Sequence, residues 1–156
     1  MKKSIKFSQN EFEILLKAVT LAGTIYALMG DMVDEKYKSS VDQMDNIENI
    51  LCSLAKEFGL HKIVEYFDGK TVMDMEGKWF ENVMADLDEY EEFATFDKLS
   101  HKLAHRDFYR EHSEEEIKKL IKEHGGYIGV LLYDYEKKYW DEFETHDYDR
   151  LEIVES

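Results

Sequence analysis

The chain has 156 residues, a length that suits one domain with a sizeable core. Hydrophobic residues make up an ordinary 44%, whereas the 35% that are charged indicate a heavily solvated surface. The formal net charge of −15 repels phosphate backbones, so direct nucleic-acid binding is not expected, and the charge suits either a basic protein partner or solubility alone.

The single cysteine, Cys52, cannot form an intramolecular disulfide. The first residues, MKKSIKFSQNEFE, contain no apolar core of the kind that a secretory signal needs. We therefore expect a reducing, cytoplasmic location.

An almost continuous apolar run, residues 12–33, dominates the N-terminal part of the chain. Its hydrophobic side chains occupy more than one helical face, which predicts a central helix that neighbours cover on several sides. The run is long enough to span a bilayer, but it contains Lys17 and Asp31, so we expect burial in protein and no membrane span. Small residues within 22–30 predict that another helix crosses there.

Hydrophobic residues at steps of three and four predict further helices along the chain. A polar cap at Thr95 is expected to separate two of them, and Ser113 with Glu116 forms a capping box before another. Asp68-Gly69 and Gly125-Gly126 are turn or stop signals. The predicted helices cover residues 41–58, 60–67, 75–93, 96–112, 114–124 and 127–144.

These segments predict an all-α fold, with residues 1–156 forming a single-domain bundle of six or seven helices around a buried N-terminal helix. The alternation at 3–7 and the strand-like segment 151–154 indicate that the termini could also pair as a short two-stranded ribbon.

A histidine cluster is the most suggestive chemical pattern. His101 and His105 are four residues apart on one helical face, with His112 further along it. Two such imidazoles can bind a divalent metal together with a carboxylate from another helix, which predicts a metal site whose third ligand is unknown. The pattern lacks the glutamate of the HExxH motif, and the alternative is a solvated face with stacked imidazoles. No other cofactor is expected.

Two further groups have alternative interpretations. Arg106-Asp107 is either a structural ion pair or the location of an active-site carboxylate. For Cys52, a small buried hydrophobe is favoured over a nucleophile, because its surroundings in sequence are acidic.

An interaction surface is predicted from charge and from aromatic residues that lie off the helical core stripe. The acidic side is DLDEYEE at 86–92. The aromatic side chains either contact a partner or cover the ends of the bundle. The residues predicted for this surface are Asp86, Glu89, Glu92, Tyr133, Trp140 and Tyr148.

Two functions follow as hypotheses. The first is a non-catalytic, acidic helical module that binds or inhibits a basic protein partner. The alternative is a metal or small-ligand site that uses His101 and His105 with carboxylates and that could serve an enzyme. Phosphate-binding glycine loops, nucleophile elbows and CxxC pairs are missing from the sequence, which favours a protein that is not an enzyme. The sequence leaves the oligomeric state open.

Overall fold

The computed structural model describes residues 5–152. Within that range the chain forms five α-helices and one antiparallel hairpin, and short 3-10 turns at Glu35–Tyr37 and Lys56–Phe58 flank the second helix. The prediction of a mainly helical chain is confirmed. The elements are α1 (Gln9–Met32), α2 (Lys38–Ala55), β1 (Val64–Phe67), β2 (Lys70–Met73), α3 (Lys78–Glu111), α4 (Glu114–Glu123) and α5 (Gly129–His146).

The chain divides into two compact units, Met1–Asp88 and Glu89–Ser156, and α3 begins in the first and ends in the second. Each unit is described by itself. The expectation of one domain over residues 1–156 stays a prediction.

The predicted helix at 60–67 is wrong, because this segment supplies the first strand of the hairpin. Asp68 and Gly69 both adopt positive φ, at 45° and 78°, as a tight two-residue hairpin turn requires. Val64 pairs with Met73 across the two strands, and both side chains are buried. This pair attaches the hairpin to the core of its unit.

The two helices predicted at 75–93 and 96–112 are one continuous helix, α3. Thr95 does not cap a new helix, since its Oγ1 donates to the carbonyl oxygen of Glu91 at 2.7 Å, one turn back in the same helix. This merger and the hairpin explain why the described residues contain five α-helices and not six or seven.

The first helix is not buried on all sides, and that part of the prediction is wrong. Its buried residues are Phe12, Leu16, Thr20 and Gly30, which lie on one face. The helix is long and apolar enough to cross a membrane, a test that the core helix of a soluble protein and a signal sequence also pass. Only 17% of its most apolar window is buried.

The prediction that a helix crosses the small residues of α1 is confirmed. A Cβ placed on Gly23 would lie 3.6 Å from the Cβ of Met44, and one on Gly30 would lie 3.3 Å from the Cγ of Lys38. Both neighbours belong to α2, and the shorter distance, at Gly30, is tighter than an ordinary contact, so this glycine lets α2 approach the backbone of α1 closely.

The core of Met1–Asp88 forms where α1, α2 and the hairpin meet. The ring of Phe12 stacks on that of Phe58, with centroids 4.0 Å apart and planes 8° from parallel. Ser8 and Glu11 cap the start of α1 reciprocally, which satisfies amide groups that would otherwise lack partners. The buried members of this core are Phe12, Leu16, Leu51, Cys52, Ala55, Leu60, Ile63, Val64 and Met73.

The unit Glu89–Ser156 has its own core. Phe108, Ile117 and Leu132 are buried together, one from each of α3, α4 and α5. The rings of Phe96 and Phe143 stack with centroids 5.2 Å apart. The predicted capping box of α4 is confirmed by its reciprocal hydrogen bonds between Ser113 and Glu116.

The predicted ribbon between the termini falls partly outside the described residues, which exclude 1–4 and 153–156. The described parts, 5–7 and 151–152, contain no strand.

Replacing Phe12 with alanine should lower the free energy of unfolding by about 3–5 kcal/mol, because the change leaves a cavity beside Phe58. The matched control is Phe67→Ala, which removes a ring that is 67% exposed and should change stability by less than about 0.5 kcal/mol. Urea unfolding followed by circular dichroism measures both. Equal losses would contradict the placement of Phe12 in the core.

Candidate functional site

An open hollow lies between α2 and the hairpin in the unit Met1–Asp88. Its volume is about 510 Å³. Apolar side chains line part of it, and acidic side chains line most of the rest. The lining residues are Glu48, Asn49, Cys52, Glu65, Phe67, Val72, Met73, Asp74, Met75 and Glu76.

Local structure places these side chains together. Glu48 and Cys52 are four residues apart and so share one face of α2. Glu65 lies opposite Val72 in the hairpin register. The backbone N–H of Asp74 donates to the carbonyl oxygen of Ile63 at 3.0 Å, which closes the open end of the hairpin and holds residue 74 at the edge of the hollow.

The hollow is negatively charged. Four of its lining residues are carboxylates, and no lysine, arginine or histidine lines it. Among residues 5–152, none of these four carboxylates forms a salt bridge. Glu48 accepts a hydrogen bond from the hydroxyl of Thr20 at 2.5 Å, and Asp74 accepts one from the backbone N–H of Glu76 at 3.2 Å. These neutral donors leave the negative charge uncompensated.

Exposed apolar side chains border these carboxylates. Phe67 and Met75 line the hollow, and each is 67% exposed. A large exposed aromatic or thioether group beside acids can pack against the aliphatic stem of lysine or arginine while the acids bind its charged end. The hollow therefore has the chemistry of a site for basic side chains.

Cys52 is not a nucleophile in this setting. Burial, and after it the negative charge of Glu48, raises the pKa of the Cys52 thiol to about 12. The thiol is therefore protonated at neutral pH, which agrees with the prediction of a small buried hydrophobe.

The histidine pair lies in the unit Glu89–Ser156, on α3. His101 Nδ1 donates to Glu136 Oε1 of α5 at 2.6 Å, since a carboxylate can only accept. The rings of His101 and His105 meet edge to face with centroids 4.5 Å apart, and Tyr109 stacks on His105. Burial, followed by the nearby His101, lowers the pKa of His105, and Glu136 partly opposes this shift.

Within residues 5–152, no three His, Cys, Asp or Glu side chains converge in a group that could hold a metal ion. The edge-to-face contact of the two imidazoles differs from the stacked arrangement of the alternative interpretation. Metal binding by His101 and His105 stays a prediction.

Arg106 and Asp107 form an ion pair, and the hydroxyl of Tyr139 is hydrogen-bonded to both residues. Arg106 Nε donates to Asp107 Oδ1 at 2.8 Å, Arg106 Nη2 donates to the hydroxyl of Tyr139 at 3.0 Å, and that hydroxyl donates to Asp107. The hydrogen bond from Arg106, and then that from Tyr139, lowers the pKa of Asp107. A carboxylate held ionised in this way links α3 to α5, as the structural interpretation of the pair expects.

The residues predicted for the interaction surface occupy different surroundings. Asp86 lies in the first unit, where it pairs with Lys17, and the other five lie in the second. Glu89 and Glu92 are exposed. The three aromatic residues also differ among themselves. Tyr133 is 63% exposed. Trp140 packs on Phe93 and Phe96, and Tyr148 packs on Phe96 and Phe143.

Sequence reasoning missed the acidic hollow. The apolar residues from Leu60 to Phe67 also fit helical spacing, so this segment was expected to form a helix with no hairpin. The cue that could have identified the hollow is the Asp68-Gly69 turn between two short segments rich in β-branched and aromatic residues.

Comparison with known proteins found no matching family model, no similar curated protein and no similar solved structure.

The lowered pKa of His105 makes stability depend on pH. A histidine whose pKa in the folded chain lies below the usual 6.5 takes up its proton more readily in the unfolded chain. Folding stability is therefore lost as the pH falls below 6.5. Between about pH 7.5 and about pH 5.5, above the range of ordinary carboxyl groups, wild type should lose more stability than His105→Gln. Urea unfolding at both pH values checks this.

The matched control is His61→Gln, at an exposed histidine in the other unit. This variant should still lose stability between the two pH values, because His105 is present. The same loss of stability in His105→Gln as in wild type would contradict the assignment to His105.

Proposed function

We propose that this protein is a non-catalytic, acidic interaction module that binds a basic segment of a partner protein. The observation that carries the proposal is the hollow of Met1–Asp88, which is lined by apolar side chains and by four carboxylates that form no salt bridge among residues 5–152. Binding a protein in this way could inhibit it.

Negative charge supports this function both at long range and at direct contact. The net charge of −15 attracts a cationic partner over the distance of a Debye length and so raises its rate of association. At contact, Glu65 and Glu76 present exposed carboxylates that can each accept hydrogen bonds from lysine or arginine. Long-range attraction thus brings a basic segment to the molecule, and the hollow provides a place for it to bind.

The apolar groups of the hollow support a protein partner over a free cation. The ring of Phe67 and the side chain of Met75 are exposed beside the carboxylates, where they can pack against the aliphatic part of a basic side chain. A hydrated metal ion would gain nothing from these contacts. The same negative field disfavours nucleic acids.

The double charge reversal Glu65→Lys/Glu76→Lys should abolish capture of the basic partner, because it replaces two carboxylates of the hollow with ammonium groups. Immobilised protein is incubated with lysate at low salt, and captured proteins are identified by mass spectrometry. The partner should elute as salt is raised, since exposed ion pairs are screened.

The matched control is Asp134→Lys/Glu144→Lys, which makes the same change in net charge at two exposed positions of α5 outside the predicted interaction surface. This variant should still capture the partner. Equal losses of capture in both variants would mean that binding depends on net charge alone. If wild type captures no protein specifically, the proposed function is contradicted.

A further inference from the structure

The outward face of α1 is apolar, and among residues 5–152 most of it is exposed, although α3 borders it near Ile14. We call this face the outward stripe. Ile14 is 60% exposed, Leu28 is 47% exposed and Met32 is 82% exposed, on the side opposite Phe12 and Leu16. The residues of the outward stripe are Ile14, Ala18, Leu21, Ile25, Leu28 and Met32.

The spacing of the outward stripe is that of a helix-pairing seam. Its residues follow one another at alternating steps of four and three, the pattern by which two α-helices pack along their length. From Ile14 to Met32 the stripe extends over about 27 Å at the rise of an α-helix. A second helix could therefore lie along it for five turns.

The stripe is complementary to itself in the antiparallel direction. When two copies are related by a twofold axis at Gly23, Ile14 of one lies opposite Met32 of the other, and Leu21 lies opposite Ile25. The remaining pair is Ala18 with Leu28, a small side chain against a large one. Every residue of the stripe then has an apolar partner.

The charges on α1 fit the same arrangement. Lys17 and Asp31 are the only charged residues between Ile14 and Met32. Lys17 comes directly before Ala18 and Asp31 directly before Met32, so both charged side chains flank the outward stripe on the same side. In an antiparallel pair these edges face each other, so Lys17 of each copy lies beside Asp31 of the other. A parallel pair would place Lys17 beside Ala22 and leave both charges without a counterpart.

Both groups are available for this contact. Among residues 5–152, Asp31 forms no salt bridge, and it is exposed. Lys17 contacts Asp86 within its own chain and is 40% exposed. Its ammonium group has three N–H donors, so one contact leaves others free.

We propose that the outward stripe is a homodimer surface, at which two copies of this chain pack α1 against α1 in antiparallel orientation. Apolar pairing gives the contact its stability, and the two Lys17 to Asp31 contacts select the orientation. This surface lies on the opposite face of α1 from Phe12 and Leu16 and is separate from the acidic hollow.

Replacing Ile25 or Leu28 with lysine should convert the dimer to a monomer, because either change places two charges at the centre of the seam. Light scattering on a sizing column should give wild type twice the chain mass of 18.5 kDa and each variant that mass itself. Circular dichroism should be unchanged, since both positions are solvent-exposed in the single chain. The matched control is Val130→Lys, at a residue of α5 that is 62% exposed, and it should remain dimeric.

A charge exchange tests the orientation. Lys17→Glu alone and Asp31→Lys alone should each weaken the dimer, since each faces like charges across the seam. An equal mixture of the two variants should form a heterodimer, because both of its contacts then join opposite charges. Asp86→Ala, which removes only the intrachain contact of Lys17, should remain dimeric.

Three results would overturn the proposal. Wild type could be monomeric at every concentration, Ile25→Lys could remain dimeric, or the charge-exchange mixture could associate no better than either variant alone. A monomer that cosediments with phosphatidylcholine vesicles would show that the stripe is a lipid-binding face.

Discussion

The inner face of α1 is the surface on which the rest of Met1–Asp88 packs. Phe12 and Leu16 meet Cys52 and Ala55 of α2 in one buried cluster, and Val64 and Met73 attach the hairpin to it. The acidic hollow depends on this packing, because α2 supplies one of its walls and the hairpin supplies the other. Burial of a few apolar side chains thus fixes the positions of Glu48, Glu65 and Asp74, which repel one another.

The outward stripe and the acidic hollow are separate surfaces of this unit, and the carboxylates lie at the hollow. The face of α1 that contacts α2 is covered, the opposite face is apolar and exposed, and carboxylates collect at the hollow. Two proposed contacts follow from this separation: a basic segment at the hollow and a second copy at the outward stripe. They differ in their response to salt, because exposed charge pairs are screened whereas apolar burial is not.

Much of the fold could be predicted from the sequence, because local signals decide helix ends. The Ser113 and Glu116 capping box, the glycines after α4 and the apolar stripe of α2 all predicted elements that the structure contains. Two signals were ambiguous. Leu60, Ile63, Val64 and Phe67 fit helical spacing although the last two lie in a strand, and Thr95 has a side chain that can cap a helix or bond within one. The acidic hollow depends on contacts between elements distant in sequence, which helical spacing does not specify.

One face of α1 lies in the core, and the opposite face lies outside it. The test places single cysteines in turn at positions 14 to 32 in a Cys52→Ala background. The rate at which each cysteine reacts with a thiol reagent is measured at a concentration where the chain is monomeric. Labelling should be fast at 14, 25, 28 and 32 and slow at 16 and 20, with helical periodicity. Slow labelling at every position would show that α1 is a fully buried central helix and would contradict the exposure of its outward stripe.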